Sequence, residues 1–227
     1  MRRTVTDMAK GAHGGKRGAA YGSLKSGELI VSGKPVLFDG ELKYGPDDQN
    51  ITPIARAKLD EFAVKRRDAK LEFLTAVDEN GEFMGPEIKG QKDKVKHPRS
   101  YMGEGVTSIH NHPVSDGLSG TFSYGDMKTF TDYSDTSARV VGREGTYSIT
   151  KSKSFDSKGF MDYIYDGFAK IEQAQNAKRI AMRSKSKDEF VDYIKKAANN
   201  ERIAVHNMYL EGQKRFGYTY TLEKPKK

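Results

Sequence analysis

Two of the five histidines in this chain stand as His110-Asn111-His112. In an extended strand alternate side chains share a face, so both imidazoles project together. Ser108 shares that face, while Thr107, Ile109 and Asn111 point the other way. Fourteen residues after His112 comes Asp126, the last residue of Ser123-Tyr124-Gly125-Asp126. Ser-x-x-acid is the spacing of a helix start, with Ser123 at the cap and Asp126 one turn in. If residues 113–122 fold back, Asp126 meets the two histidines. Two imidazoles and one carboxylate, with a fourth position open, are the ligand set of a catalytic zinc. Zn²⁺ brings the ionisation of a bound water near pH 7 and so makes a nucleophile without cysteine. This chain has no cysteine. Such a site also needs a carboxylate to carry protons, and the upstream candidates are Glu72, Glu79, Glu82 and Glu87. Glu79 and Glu82 flank an expected turn and are expected to be solvated. Glu72 is the lone acid in the apolar run Leu71–Val77, where a carboxylate is costly without a partner or a purpose. It is the favoured base; the alternative is an edge-strand acid turned to solvent. His97 and His206 have no partner at ligand spacing and read as ordinary surface or core histidines.

The positioning elements follow from pattern. Glu28–Ser32 and Pro35–Phe38 read as a strand pair joined at Gly33-Lys34. Thr52 caps a helix with Pro53 at its first position, and Ile54, Leu59, Phe62 and Ala63 form its stripe to about Ala69. Leu71–Val77 is a strand, Asp78–Gly81 a hairpin turn, and Glu82–Lys89 a weaker strand. Val106–His112 is a β-rich run ending at Pro113, followed by a Gly-rich loop and a helix from Ser123 to about Tyr133. Ala138–Gly142 and Thr146–Thr150 make a second hairpin. Phe160, Ile164, Phe168 and Ile171 then mark a helix, Phe190, Ile194, Ala197 and Ala198 another, and Tyr218–Leu222 a short edge strand. The expected class is α/β or α+β: a mixed sheet flanked by helices, with a helical C-terminal extension.

The order Glu on an early strand, then His-x-His-Pro, then Ser-x-x-Asp resembles the JAMM (MPN-type) zinc metalloproteases. Ile109–Pro113 (IHNHP) is most like the RadC-type and phage-associated JAMM-like modules, and Val140–Ile149 is similar to the hairpin that follows the motif there. The resemblance covers about residues 53–152. It implies an MPN-like fold, Zn²⁺ held by His110, His112 and Asp126, Ser123 assisting an oxyanion, and Glu72 as the base. It also implies hydrolysis of a peptide or isopeptide bond in a protein or peptide substrate, such as a ubiquitin-like conjugate. The loop 113–122 is three residues longer than the family's usual spacing and adds Asp116, a further candidate ligand.

The formal charge of +8 over 227 residues is unevenly spread. Residues 1–27 carry +5, 28–150 carry −4, and 151–227 carry +7. The implied organisation is a flexible basic arm (1–27), a JAMM/MPN-like metal-binding domain (28–152) and a basic helical extension (153–227) packed on or beside it. Basic ends favour polyanions through counterion release, so the competing reading is a nucleic-acid-associated or phage-particle assembly protein whose metal site is structural or vestigial. No run reaches the roughly 18 apolar residues of a spanning helix, so no membrane partner is expected. No apolar stretch follows the basic N-terminus, and the expected location is cytoplasmic, or virion-associated if the chain is phage-encoded.

Overall fold

A computed structural model describes residues 28–31, 34–37, 42–113, 120–182 and 185–226. The proposed arm at 1–27 and Asp116 lie outside the described residues. Strands β1 (Glu28–Val31) and β2 (Lys34–Leu37) form an antiparallel pair. The body follows as α1 (Pro53–Arg66), β3 (Phe73–Val77), β4 (Ile88–Lys89), β5 (Thr107–Asn111), α2 (Tyr124–Asp132), β6 (Ser137–Val141) and β7 (Thr146–Lys151). It closes with α3 (Ser157–Met182), α4 (Lys187–Phe216) and β8 (Tyr218–Glu223). The fold is mixed α+β, built on a six-stranded sheet in the order β4-β3-β5-β6-β7-β8. Every pair is antiparallel except β5–β6.

Local chemistry explains the boundaries. Thr52 Oγ1 accepts from the Ala55 N–H, and Pro53 opens α1 where its missing N–H costs nothing. At the Asp78–Gly81 turn Asp78 Oδ1 accepts from the Asn80 and Glu82 N–H groups. Gly81 sits there at φ 79°, and a Cβ would stand 2.6 Å from Ile54 Cγ2. Helix α4 starts with a reciprocal Ser186–Glu189 capping box and stops at Gly217, which is left-handed.

The sheet separates two cores. On one face Leu59, Phe62 and Ala63 of α1 pack on Val77, Ile109 and Val141. On the other, Met127 and Phe130 of α2, Phe160 and Ile164 of α3, and Met208 and Tyr209 of α4 pack on Val140, Tyr147, Ile149 and Tyr220. Residues beyond 152 therefore share in the largest core and supply the sheet's sixth strand. The predicted edge strand is present: β8 pairs with β7 over its whole length.

One expectation is corrected. The strand expected over Glu82–Lys89 shrinks to Ile88–Lys89 plus one bridge between Phe83 and Val77. Gly85 and Pro86 interrupt the run, and Pro has no N–H to give a ladder. The helix marked by Phe190, Ile194, Ala197 and Ala198 is present within α4. Ile194, Val191 and Ile180 are exposed, because the first part of α4 and the end of α3 extend past the sheet and touch mainly each other.

Candidate metal centre

Strand β5 carries the histidines, and its parallel pairing with β6 sets their orientation. His110 aligns with Val140, on the face packed by α2, α3 and α4. Past the strand's end the His112 N–H still donates to the Val141 carbonyl at 3.0 Å, so His112 keeps the same facing as His110. The imidazole centroids are 4.9 Å apart and the Nε2 atoms 3.1 Å.

Helix α2 delivers the carboxylate. Ser123 Oγ accepts from the Asp126 N–H at 3.1 Å, and Asp126 Oδ2 accepts from the Ser123 N–H at 2.7 Å. This capping box fixes the Asp126 side chain before it meets anything else. Asp126 Oδ1 lies 3.3 Å from His110 Nε2, and Oδ2 lies 3.3 Å from His112 Nε2. Among the described residues, His110, His112 and Asp126 are the group gathered closely enough to hold one ion.

The donor set fits zinc. Ligands bonded at 2.0–2.2 Å to a tetrahedral ion stand roughly 3.3–3.6 Å from one another. In this site the two Nε2 atoms are 3.1 Å apart, each lies 3.3 Å from a different oxygen of Asp126, and one donor atom from each residue lies within 4.8 Å of the others, close enough to share one ion. Two imidazoles and a carboxylate leave a fourth corner free, and the set suits zinc and other borderline divalent ions.

Glu72 lies beside this group and outside it. The β3–β5 ladder pairs Leu74 with His110, and Glu72, two residues before Leu74, falls on the same side of the sheet, near enough that the charges of His110, His112 and Asp126 act on it. The residue is 7 % exposed, so the solvent-facing alternative does not hold. Burial pushes its carboxyl up, opposed by the charges of His110 and His112. Burial also pushes the Asp126 carboxyl up, but the charges and hydrogen bonds of both histidines prevail and hold it well below the usual range. For His112 burial disfavours the cation, and Asp126, Glu72 and the Gly120 carbonyl outweigh it, so its pKa is raised.

Ser123 uses its oxygen as a cap acceptor, which leaves its O–H free to donate. The other acids considered as bases serve elsewhere. Glu87 pairs with Arg66 and Lys65, Glu82 with Lys58, and Glu79 lies at the turn, its carbonyl accepting from Thr52. His206 is a core histidine: fully buried, 2.9 Å from the Tyr220 hydroxyl through Nδ1, and pushed down to about 4 by burial.

His97 was not signalled by spacing, because it sits in the irregular segment between β4 and β5. That segment is tied to Glu72 by two backbone hydrogen bonds at 2.8 Å, to Gln91 and Gly90. The His97 Nδ1 is buried without a hydrogen-bond partner. Its pKa is pushed to about 4 by burial, then by the charge of His110, with Asp126 opposing.

No family model, no curated protein and no solved structure matches the chain. Among the described residues no helix is long and apolar enough to cross a membrane. At the far end of the helical hairpin Arg179, Lys185 and Lys187 are exposed, with Asp188, Glu189 and Asp192 exposed among them.

Proposed function

We propose that the protein is a metal-dependent hydrolase of a peptide or isopeptide bond, with His110, His112 and Asp126 holding a zinc ion. The observation that carries this reading is the gathering of two imidazoles and one carboxylate within reach of a single ion, with a buried carboxylate, Glu72, near them. The order of these residues along the chain, which resembles that of JAMM proteases with an MPN-like sheet, supports it too. Zinc in such a site acts as a Lewis acid and activates water.

The chain's own groups supply the rest. Glu72 takes the proton of the attacking water and passes it to the leaving amine. Its burial raises its pKa above the ordinary carboxylate value, against the charges of His110 and His112, which makes it a better proton acceptor than an exposed glutamate. The Ser123 O–H donates to the carbonyl oxygen as negative charge builds there. Asp126 accepts from the Ser123 N–H through one oxygen, which keeps its carboxylate aimed, and the two histidines hold it ionised.

The test is zinc-loaded protein incubated with mixed peptide and ubiquitin-like isopeptide substrates, and Glu72→Gln run in parallel. Cleavage by the parent and loss in the variant support the reading. Cleavage that survives Glu72→Gln, or none across both bond types, counts against it.

A further inference from the structure

The residue between the two histidines is fully buried, on the opposite face of the sheet from their imidazoles. Asn111 Oδ1 accepts from the Phe73 N–H at 2.7 Å, and its Nδ2 donates to the Leu71 carbonyl at 3.0 Å. These are the peptide groups on either side of Glu72. They are held by a side chain for a topological reason. The backbone register of β3 with β5 ends at the Leu74–His110 pair, while β5 stays with β6 through His112. The two chains part there, and the Asn111 carboxamide spans the gap, one donor and one acceptor replacing a rung of the ladder. Glu72's own N–H and carbonyl bind Gln91 and Gly90 on the other side. Four consecutive backbone groups, from the Leu71 carbonyl to the Phe73 N–H, are therefore fixed.

We propose that Asn111 is a positioning residue for Glu72. Its amide clamps the 71–73 segment against β5, so that the Glu72 carboxyl stays near the two histidines and Asp126. The consequence for chemistry rests on the metal-hydrolase reading, whereas the clamp itself stands on the hydrogen bonds alone. Substitutes fail for stated reasons. Aspartate keeps the acceptor for Phe73 but sets a carboxylate against the Leu71 carbonyl. Alanine leaves one N–H and one carbonyl buried and unpaired.

The test uses the full chain with Co²⁺ as the metal probe, in the parent, Asn111→Ala, Glu72→Gln and the double variant. All four are expected to bind Co²⁺, because the three ligands are untouched. The pH midpoint of the Co²⁺ visible spectrum shifts in Asn111→Ala in the same direction as in Glu72→Gln. The double variant shifts no further than Glu72→Gln, since Asn111 acts through Glu72. A parental midpoint in Asn111→Ala, or shifts that add in full, overturns the proposal. Asn111→Asp serves if the alanine variant does not fold.

Hydrogen exchange on the metal-free protein reads the clamp independently. The Phe73 amide is expected to exchange at least about tenfold faster in Asn111→Ala, with the Thr75 amide unchanged. Equal Phe73 rates overturn the clamp. Failure of the parent to bind Co²⁺ overturns the metal reading and leaves the exchange result to decide Asn111.

Discussion

Leu74 is paired with His110 in the β3–β5 ladder, which puts Glu72, two residues before Leu74, on the histidines' side of the sheet. One register thus decides whether Glu72 and the two histidines share a face. A slip of one residue sends Glu72 to the α1 side, among Leu59 and Phe62, and separates it from the histidines. This relationship, with the capping box that aims Asp126, sets the expected behaviour of the site.

Glu72→Gln keeps metal stoichiometry and loses turnover. The amide preserves shape and removes the proton carrier, so kcat falls by about 10²–10⁴-fold. Metal analysis beside single-turnover kinetics checks both halves. A parallel loss of metal assigns Glu72 to the ligand set instead.

Metal affinity falls with pH below neutrality. Zinc binds neutral imidazole, and His112 holds its proton more tightly than an ordinary histidine, chiefly through Asp126 acting against burial. As pH drops below the His112 pKa, each displaced proton costs about tenfold in apparent affinity per pH unit. Competition with a chromophoric chelator from pH 8 to 5.5 measures this. A flat profile contradicts it.

Ser123→Ala removes the α2 cap and frees Asp126. The cap alone contributes about 1 kcal/mol, read from urea unfolding of metal-free protein. Zinc affinity drops as well, because the loosened α2 start no longer presents the carboxylate at 3.3 Å from both Nε2 atoms. Unchanged affinity would show that the ligand is held by other contacts.

The sheet's far side carries a buried ion pair with a larger effect. Arg139 and Glu223 are 0 % and 1 % exposed, and their Nη2–Oε2 distance is 2.6 Å. Arg139 also donates to Ser148 at 3.1 Å, and the Asp60 carboxylate is 3.4 Å away. Glu223→Ala leaves the guanidinium buried with weakened compensation and costs about 3–5 kcal/mol. Chemical denaturation checks it, and a loss under about 1 kcal/mol would show that Asp60 suffices.

Asp135 gives a stability signal in acid. Burial raises its pKa to about 6, with the Gly103 N–H opposing. The unfolded chain releases this proton near 3.8, the ordinary value, so between about 4 and 6 the folded state holds more protons. Its contribution is full below pH 4 and is lost as pH rises through 6. A shift of roughly two units corresponds to about 3 kcal/mol for a group this buried. The stability difference between the parent and Asp135→Asn, followed from pH 4 to 7, should change by about that amount. A constant difference refutes it.

The gathering of His110, His112 and Asp126 was legible because its chemistry is local. His-x-His in a strand and Ser-x-x-Asp at a helix start each define a side-chain direction without knowledge of the fold. Glu72 was legible as an acid out of place in an apolar run. Asn111 was visible only as a residue facing away from the histidines, since its role depends on where β3 and β5 part. His97 and the exposed Ile180–Val191–Ile194 surface were not legible for the same reason. A helical period tells which residues share a stripe, and not whether the sheet reaches far enough to cover it.

The most direct test of the central claim is zinc content. Protein equilibrated with Zn²⁺, freed of excess and measured by elemental analysis, is predicted to hold one equivalent, and the His110→Ala/His112→Ala variant close to none. Equal, near-zero zinc in both would contradict it.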